Sequence, residues 1–194
     1  MTILVDMDEV LADFATAAAC IHCWTRQQLE AVWPPGRWSI VEPMGLILET
    51  FWTRINAAGE RFWVELAPLP WATELISLLN TEGYVWYVCS SPSRDPSSYS
   101  GKVKWLQRYL ASPNRPFTRF VLTNHKHLLA RPDTVLIDDN AATCREFEAA
   151  GGRAIIFPSR HNSLHPLAAD PVAYVREQLR CISTSTVSTT PSAG

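Results

Sequence analysis

Short apolar runs alternate with amphipathic stretches along the chain. Ile3-Leu4-Val5, Tyr84–Cys89, Arg119–Thr123, Thr134–Ile137 and Arg153–Phe157 are brief, rich in β-branched and aromatic residues, and end in polar or glycine positions. That is the pattern of buried strands. Helical spacing fills the intervals. A first helix is expected over residues 13–32, broken by Trp33-Pro34-Pro35-Gly36. A second is expected over 42–58, ended by Gly59, and others over 71–82, 101–110, 141–150 and about 170–181. Phe62-Trp63 and Pro68-Leu69-Pro70 read as a stiff connection, and residues 93–101 as a polar loop.

Strands alternating with helices predict an α/β domain, a Rossmann-like parallel sheet in three layers. Residues 14–71 lie between the first two strands and contain no strand of their own. They read as a small helical lobe inserted after the first strand, leaving 1–13 and 72–182 as the core. From Ser183 onward the chain is rich in Ser and Thr and has no apolar period, so 183–194 is expected to be a flexible tail.

Composition narrows the function classes. A length of 194 residues suits one domain. A net charge of −2 gives no basic footprint for a nucleic-acid polymer. No apolar run is long enough to span a membrane, and the first strand follows Met1 so closely that no leader is expected, which points to the cytoplasm. The five cysteines are odd in number, and Cys20-Ile21-His22-Cys23 has zinc-like spacing without a second pair, so these read as packing residues. His161 and His165, in a loop near Pro166, read as surface histidines. Trp33, Trp38, Trp52 and Trp63, four of the eight tryptophans, fall between residues 33 and 70. Trp33 and Trp52 read as core; Trp38 and Trp63 are balanced between core and the wall of a cleft.

The candidate chemistry sits at strand ends, where open α/β sheets bind ligands. Asp6 and Asp8 follow the first strand, Ser90 and Ser91 the second, Lys126 the third, and Asp138 and Asp139 the fourth. Close carboxylates repel unless a cation or shared proton joins them, and oxygen ligands suit Mg²⁺. Each feature also has a plainer reading. The acids can close a turn, the serines can cap a helix, and the lysine can be a solvated surface group. Their recurrence on one sheet edge favours a site.

Asp6-Met7-Asp8-x-Val10-Leu11-Ala12-Asp13-Phe14, Cys89-Ser90-Ser91-Pro92, Leu122-Thr123-x-x-Lys126 and Leu136-Ile137-Asp138-Asp139 together resemble the haloacid dehalogenase-like phosphatase superfamily and, within it, the 5'(3')-deoxyribonucleotidase family. By this resemblance residues 14–71 would form a small helical cap inserted after the first strand, and the stretch Trp63–Pro70 is similar to that family's return from cap to core. The resemblance spans about residues 2–160. It implies that Asp6 is the nucleophile that takes the phosphoryl group, and that Asp8 is the acid and base. Ser90 would bind the phosphoryl group with Ser91 nearby, and Lys126 would balance charge. Mg²⁺ would be held by Asp6, the Asp8 carbonyl and Asp139, with Asp138 in support. It also implies that Phe14 stacks on a base and that Trp38 and Trp63 complete an apolar pocket. The substrate expected is a small nucleoside monophosphate, pyrimidine by the aromatic character of that pocket. Glu9 stands where Gly is frequent, Ser90 where Thr is common, and Asn140 where a basic residue can occur.

Two alternatives stay open: a phosphatase of another small metabolite, and a catalytically silent binding protein. A dehalogenase is disfavoured because Asp8 supplies an acid and base that phosphoester cleavage needs. The sequence leaves the oligomeric state open, a homodimer included.

Overall fold

The computed structural model describes residues 1–187. Five parallel strands form one sheet: β1 (Thr2–Val5), β2 (Val85–Ser90), β3 (Phe120–Leu122), β4 (Thr134–Asp138) and β5 (Arg153–Ile156), in the order β3-β2-β1-β4-β5. Among the described residues eight α-helices accompany them: α1 (Phe14–Ile21), α2 (Arg26–Val32), α3 (Leu48–Ala58), α4 (Glu60–Val64), α5 (Ala72–Thr81), α6 (Ser97–Leu110), α7 (Ala141–Ala149) and, after the last strand, α8 (Pro171–Val187). The expected α/β architecture is therefore found.

Strand periodicity explains the three layers. Ile3 and Val5, Trp86 and Val88, and Val135 and Ile137 point into one core with Leu75 and Leu79 of α5, Trp105 and Leu106 of α6, and Val175 and Leu179 of α8. The alternate residues Leu4, Cys89 and Leu136 pack on the other face against Phe147 of α7. Both faces are covered, so the strands read as continuous apolar runs. The first core continues into the inserted segment through Leu29, Trp33, Phe51, Ile55, Phe62 and Trp63, so the segment shares its core with the sheet. Its two ends are tied together. Asp13 donates its N–H to the Ala67 carbonyl at 2.8 Å, and Leu69 donates to the Leu11 carbonyl at 2.9 Å.

Several boundaries differ from the sequence reading. The first helix is two. Cys23 turns the chain at φ +64°, and Thr25 with Gln28 forms a capping box that starts α2 afresh. Helix α3 begins at Leu48, six residues later than expected, and the connection after Gly59 is the short helix α4. Helix α6 begins at Ser97 within the expected loop. Asp95 accepts the Ser97 N–H at 2.9 Å, and serines that resemble a loop in composition serve the first turn of a helix. Helix α8 runs to Val187. Ser183 and Thr184 direct their hydroxyls back to the carbonyls of Leu179 and Cys181, so the first residues of the expected tail are helical. The rest of that tail lies outside the described residues.

Candidate active site

The strand order places the chemistry. β1 lies between β2 and β4 with Val5 beside Ile137, so the two acid motifs leave the sheet side by side. The Asp6 N–H donates to the Ile137 carbonyl at 2.9 Å. Asp138 follows at the end of β4, where its Oδ1 accepts from the Asn140 N–H at 2.9 Å. Asn140 in turn caps α7 through the N–H groups of Ala142 and Thr143. Asp6, Asp138 and Asp139 are all buried, and each offers a carboxylate oxygen within 4.8 Å of the others. Such an all-oxygen donor set could hold a hard divalent cation.

Lys126 opens a short 3₁₀ turn after β3 and is almost fully buried. Its Nζ donates to Asp138 Oδ2 at 2.6 Å and stands 2.8 Å from Asp6 Oδ1. The second contact lies off the hydrogen-bond axis, so Asp6 Oδ1 has no hydrogen-bond partner among the described residues. The lysine is therefore an internal counter-ion and not a surface group. Burial opposes its charge, but Asp6 and Asp138 outweigh that and hold its pKa above the usual lysine range.

A second buried lysine, Lys102 of α6, was not anticipated. Its Nζ donates to Asp8 Oδ2 at 2.6 Å and to Ser90 Oγ at 3.0 Å. Asp8 Oδ1 has no partner among the described residues. Burial raises the Asp8 pKa, and Lys102 pulls against it. Ser90 is fully buried, whereas Ser91 is exposed and donates from Oγ to the Thr123 carbonyl at 3.2 Å.

His161 corrects the expectation of a surface histidine. It is buried, with Nε2 2.5 Å from Asp139 Oδ2 and 3.0 Å from Ser159 Oγ, and its ring stacks on Trp33 at 5.7 Å. Only His165 of that pair is exposed. Burial lowers the His161 pKa and so favours a neutral ring. Glu9 does not reach the acid cluster as an extra ligand. It holds φ at +57°, the left-handed region that suits glycine, and its Oε1 accepts the Ala15 N–H at the start of α1. Its Oε2 lies 3.9 Å from His161 Nδ1. His22 is taken up by Phe51, stacking on its ring and meeting its carbonyl at 3.1 Å.

Burial and the neighbouring Asp6 raise the pKa of Asp138 to about 7 and push Asp139 well up. Fully ionised, Asp6, Asp8, Asp138 and Asp139 set four negative charges against the two of Lys102 and Lys126. The site is short of positive charge.

A cleft of about 310 Å³ opens over these groups. Its wall includes Phe14, Trp38, Trp63 and Ser91 as well as Trp52. Phe14 stacks on Trp63 at 5.8 Å. Trp63 is core and cleft wall at once, being 1 % exposed, while Trp38 is 52 % exposed and meets His161 edge-on. Trp33 is core as expected; Trp52, also expected in the core, is half-buried on the cleft wall. No described helix is long and apolar enough to cross a membrane.

The family model described as "5' nucleotidase, deoxy (Pyrimidine), cytosolic type C protein" matches residues 1–169. A Staphylococcus aureus (strain MSSA476) protein named "Putative 5'(3')-deoxyribonucleotidase" is 30% identical over 172 residues, covering 83% of this chain and 84% of the relative. A haloacid dehalogenase-like family hydrolase from Xanthomonas campestris shares the fold with a TM-score of 0.57 at 13% identity, covering 98% of this chain and 94% of that one. A family hydrolase from Deinococcus radiodurans does so at 0.53 and 14%, covering 94% and 96%. The chain belongs to the deoxyribonucleotidase family.

Proposed function

We propose that this family member, a phosphoric monoester hydrolase, is a Mg²⁺-dependent 5'(3')-deoxyribonucleotidase that prefers pyrimidine nucleoside monophosphates and works through a phosphoryl group carried on Asp6. One observation carries the reading: Asp6 stands where the buried acid pair of β4, Lys126 and an aromatic-walled cleft converge.

Asp6 supplies the attacking carboxylate oxygen. Lys126 holds Asp6 and Asp138 apart from each other's charge. Ser90 donates its hydroxyl to a phosphoryl oxygen, with Ser91 at the rim. Asp8 protonates the leaving sugar oxygen and later takes a proton from the hydrolytic water. The shortage of positive charge and the three buried carboxylates gathered within 4.8 Å fit a divalent ion held by Asp6, Asp139 and the Asp8 carbonyl, with Asp138 supporting. When bound, Mg²⁺ offsets the repulsion between carboxylate and phosphate. Residues 14–71 act as the cap that excludes water, and Phe14, Trp38 and Trp63 receive the base.

Phosphate release with Mg²⁺ across deoxy- and ribonucleoside monophosphates, with sugar phosphates as controls, tests this. Preference for deoxypyrimidine monophosphates is expected. Equal or better turnover of sugar phosphates would contradict it.

A further inference from the structure

The buried face of α6 is formed by Ser98, Gly101, Lys102, Trp105 and Leu106, the i, i+3, i+4, i+7, i+8 stripe of an amphipathic helix. Lys102 occupies a position that such a stripe reserves for an apolar residue, and it is 0 % exposed. The helix is held where it is by close contacts. A Cβ on Gly101 would lie 2.5 Å from the Trp63 Cβ and 2.9 Å from the Glu60 carbonyl, so α6 can approach α4 only with glycine there. Trp105 Nε1 donates to the Leu66 carbonyl at 2.8 Å. The Lys102 ammonium then lies 4.9 Å from the centre of the Trp63 ring.

Burying an ammonium is costly unless its donors are matched. Both hydrogen-bond partners of Lys102 belong to the reacting site. It holds one oxygen of Asp8, the other having no partner among the described residues, and it donates to Ser90 Oγ. Because Ser90 Oγ accepts from Lys102, its own hydrogen is left to point elsewhere.

We propose that Lys102 is a positioning residue for leaving-group departure: it fixes the Asp8 carboxyl group for proton transfer and turns the Ser90 hydroxyl toward the phosphoryl group. The proposal rests on the nucleotidase reading. In the step concerned, an Asp6 oxygen forms its bond to phosphorus and the bond from phosphorus to the sugar oxygen breaks. The electron pair stays on that oxygen, and the proton held by Asp8 moves to it. A sugar alkoxide needs this proton. Dinitrophenolate, a far weaker base, leaves without it.

The test is kcat/KM of Lys102→Met and Lys102→Arg, in the full chain with Mg²⁺, on the best nucleoside monophosphate and on 2,4-dinitrophenyl phosphate. This constant reports only steps through departure of the leaving group, so hydrolysis of the intermediate does not enter it. For Lys102→Met, a loss of about 100-fold is expected on the nucleotide, with a loss at least about tenfold smaller on the aryl ester. Lys102→Arg, whose planar fork cannot reproduce the same pair of bonds, is expected to show the same selectivity and covers the case in which the Met variant does not fold. Adding Lys102→Met to Asp8→Asn should cost no more on the nucleotide than Lys102→Met alone costs on the aryl ester, because only the part that acts through Ser90 is then left. Equal losses on the two esters, or full additivity with Asp8→Asn, would overturn the proposal. The nucleotidase reading would stand so long as the wild-type chain releases phosphate from nucleotides. A wild-type chain inactive on both esters would sink the reading and the proposal together.

Discussion

His161 Nε2 and Asp139 Oδ2 lie 2.5 Å apart in a pocket walled by Trp33 and edged by Trp38. With its proton on Nε2, the neutral ring donates to Asp139 and fixes which oxygen remains for a cation. Partners of this kind tune metal affinity by about 10–100-fold. His161→Ala is therefore expected to shift the Mg²⁺ concentration for half-maximal thermal stabilisation upward by about tenfold or more. An unchanged Mg²⁺ midpoint would show that the bond does not serve metal binding.

Lys126 is the shared counter-charge of Asp6 and Asp138 in a buried setting. Removing one partner of such a network leaves uncompensated charge and costs about 3–5 kcal/mol. Lys126→Met is expected to lower stability in urea by that order and to abolish turnover. A variant that keeps wild-type stability would show that this ion pairing adds no net stability to the fold.

Burial raises Glu9 from 4.5 to about 7. Between those values the unfolded chain has released its proton and the folded chain retains it. Stability attributable to this group is thus whole below pH 4.5 and is lost as pH rises toward 7. Glu9→Gln keeps an oxygen for the Ala15 N–H. It is expected to match the wild type near pH 4 and to gain up to about 3 kcal/mol at pH 8, measured by urea unfolding with EDTA present. A gain independent of pH would contradict burial as its cause.

Trp38 is the most exposed ring of the cleft wall, so its truncation disturbs the fold least. Stacking on a base is worth about 1–3 kcal/mol. Trp38→Ala is expected to raise KM for nucleoside monophosphates by about tenfold, at about 1.4 kcal/mol per tenfold, with little change for a small aryl phosphate. Equal effects on both would remove Trp38 from base binding.

The parts of this site that are readable in the sequence stand directly after strands. Asp6, Ser90 and the Asp138-Asp139 pair are fixed by strand ends, and β1 between β2 and β4 makes adjacent strand ends adjacent in space. Lys126, four residues past β3, follows the same logic. Lys102 is different. It reaches Asp8 from across 94 residues through the packing of α6 on α4, and its one local sign is a lysine on the apolar stripe of a helix, hidden because the helix appeared to begin at Gly101. His161 was misread because Ser and Pro around it look like surface. Its burial depends on Trp33 and Asp139, more than a hundred and about twenty residues away respectively. Trp52 shows the same limit, since helical spacing gives a face but not what that face meets.

The central claim is that Asp6 carries the phosphoryl group. Rapid acid quench of the enzyme with a ³²P-phosphoryl-labelled deoxypyrimidine monophosphate and Mg²⁺, followed by peptide mapping, tests it most directly. Label on the peptide containing Asp6 is expected in the wild type and should be lost in Asp6→Asn together with phosphate release. Unlabelled protein during active turnover, or turnover undiminished in Asp6→Asn, would contradict the account.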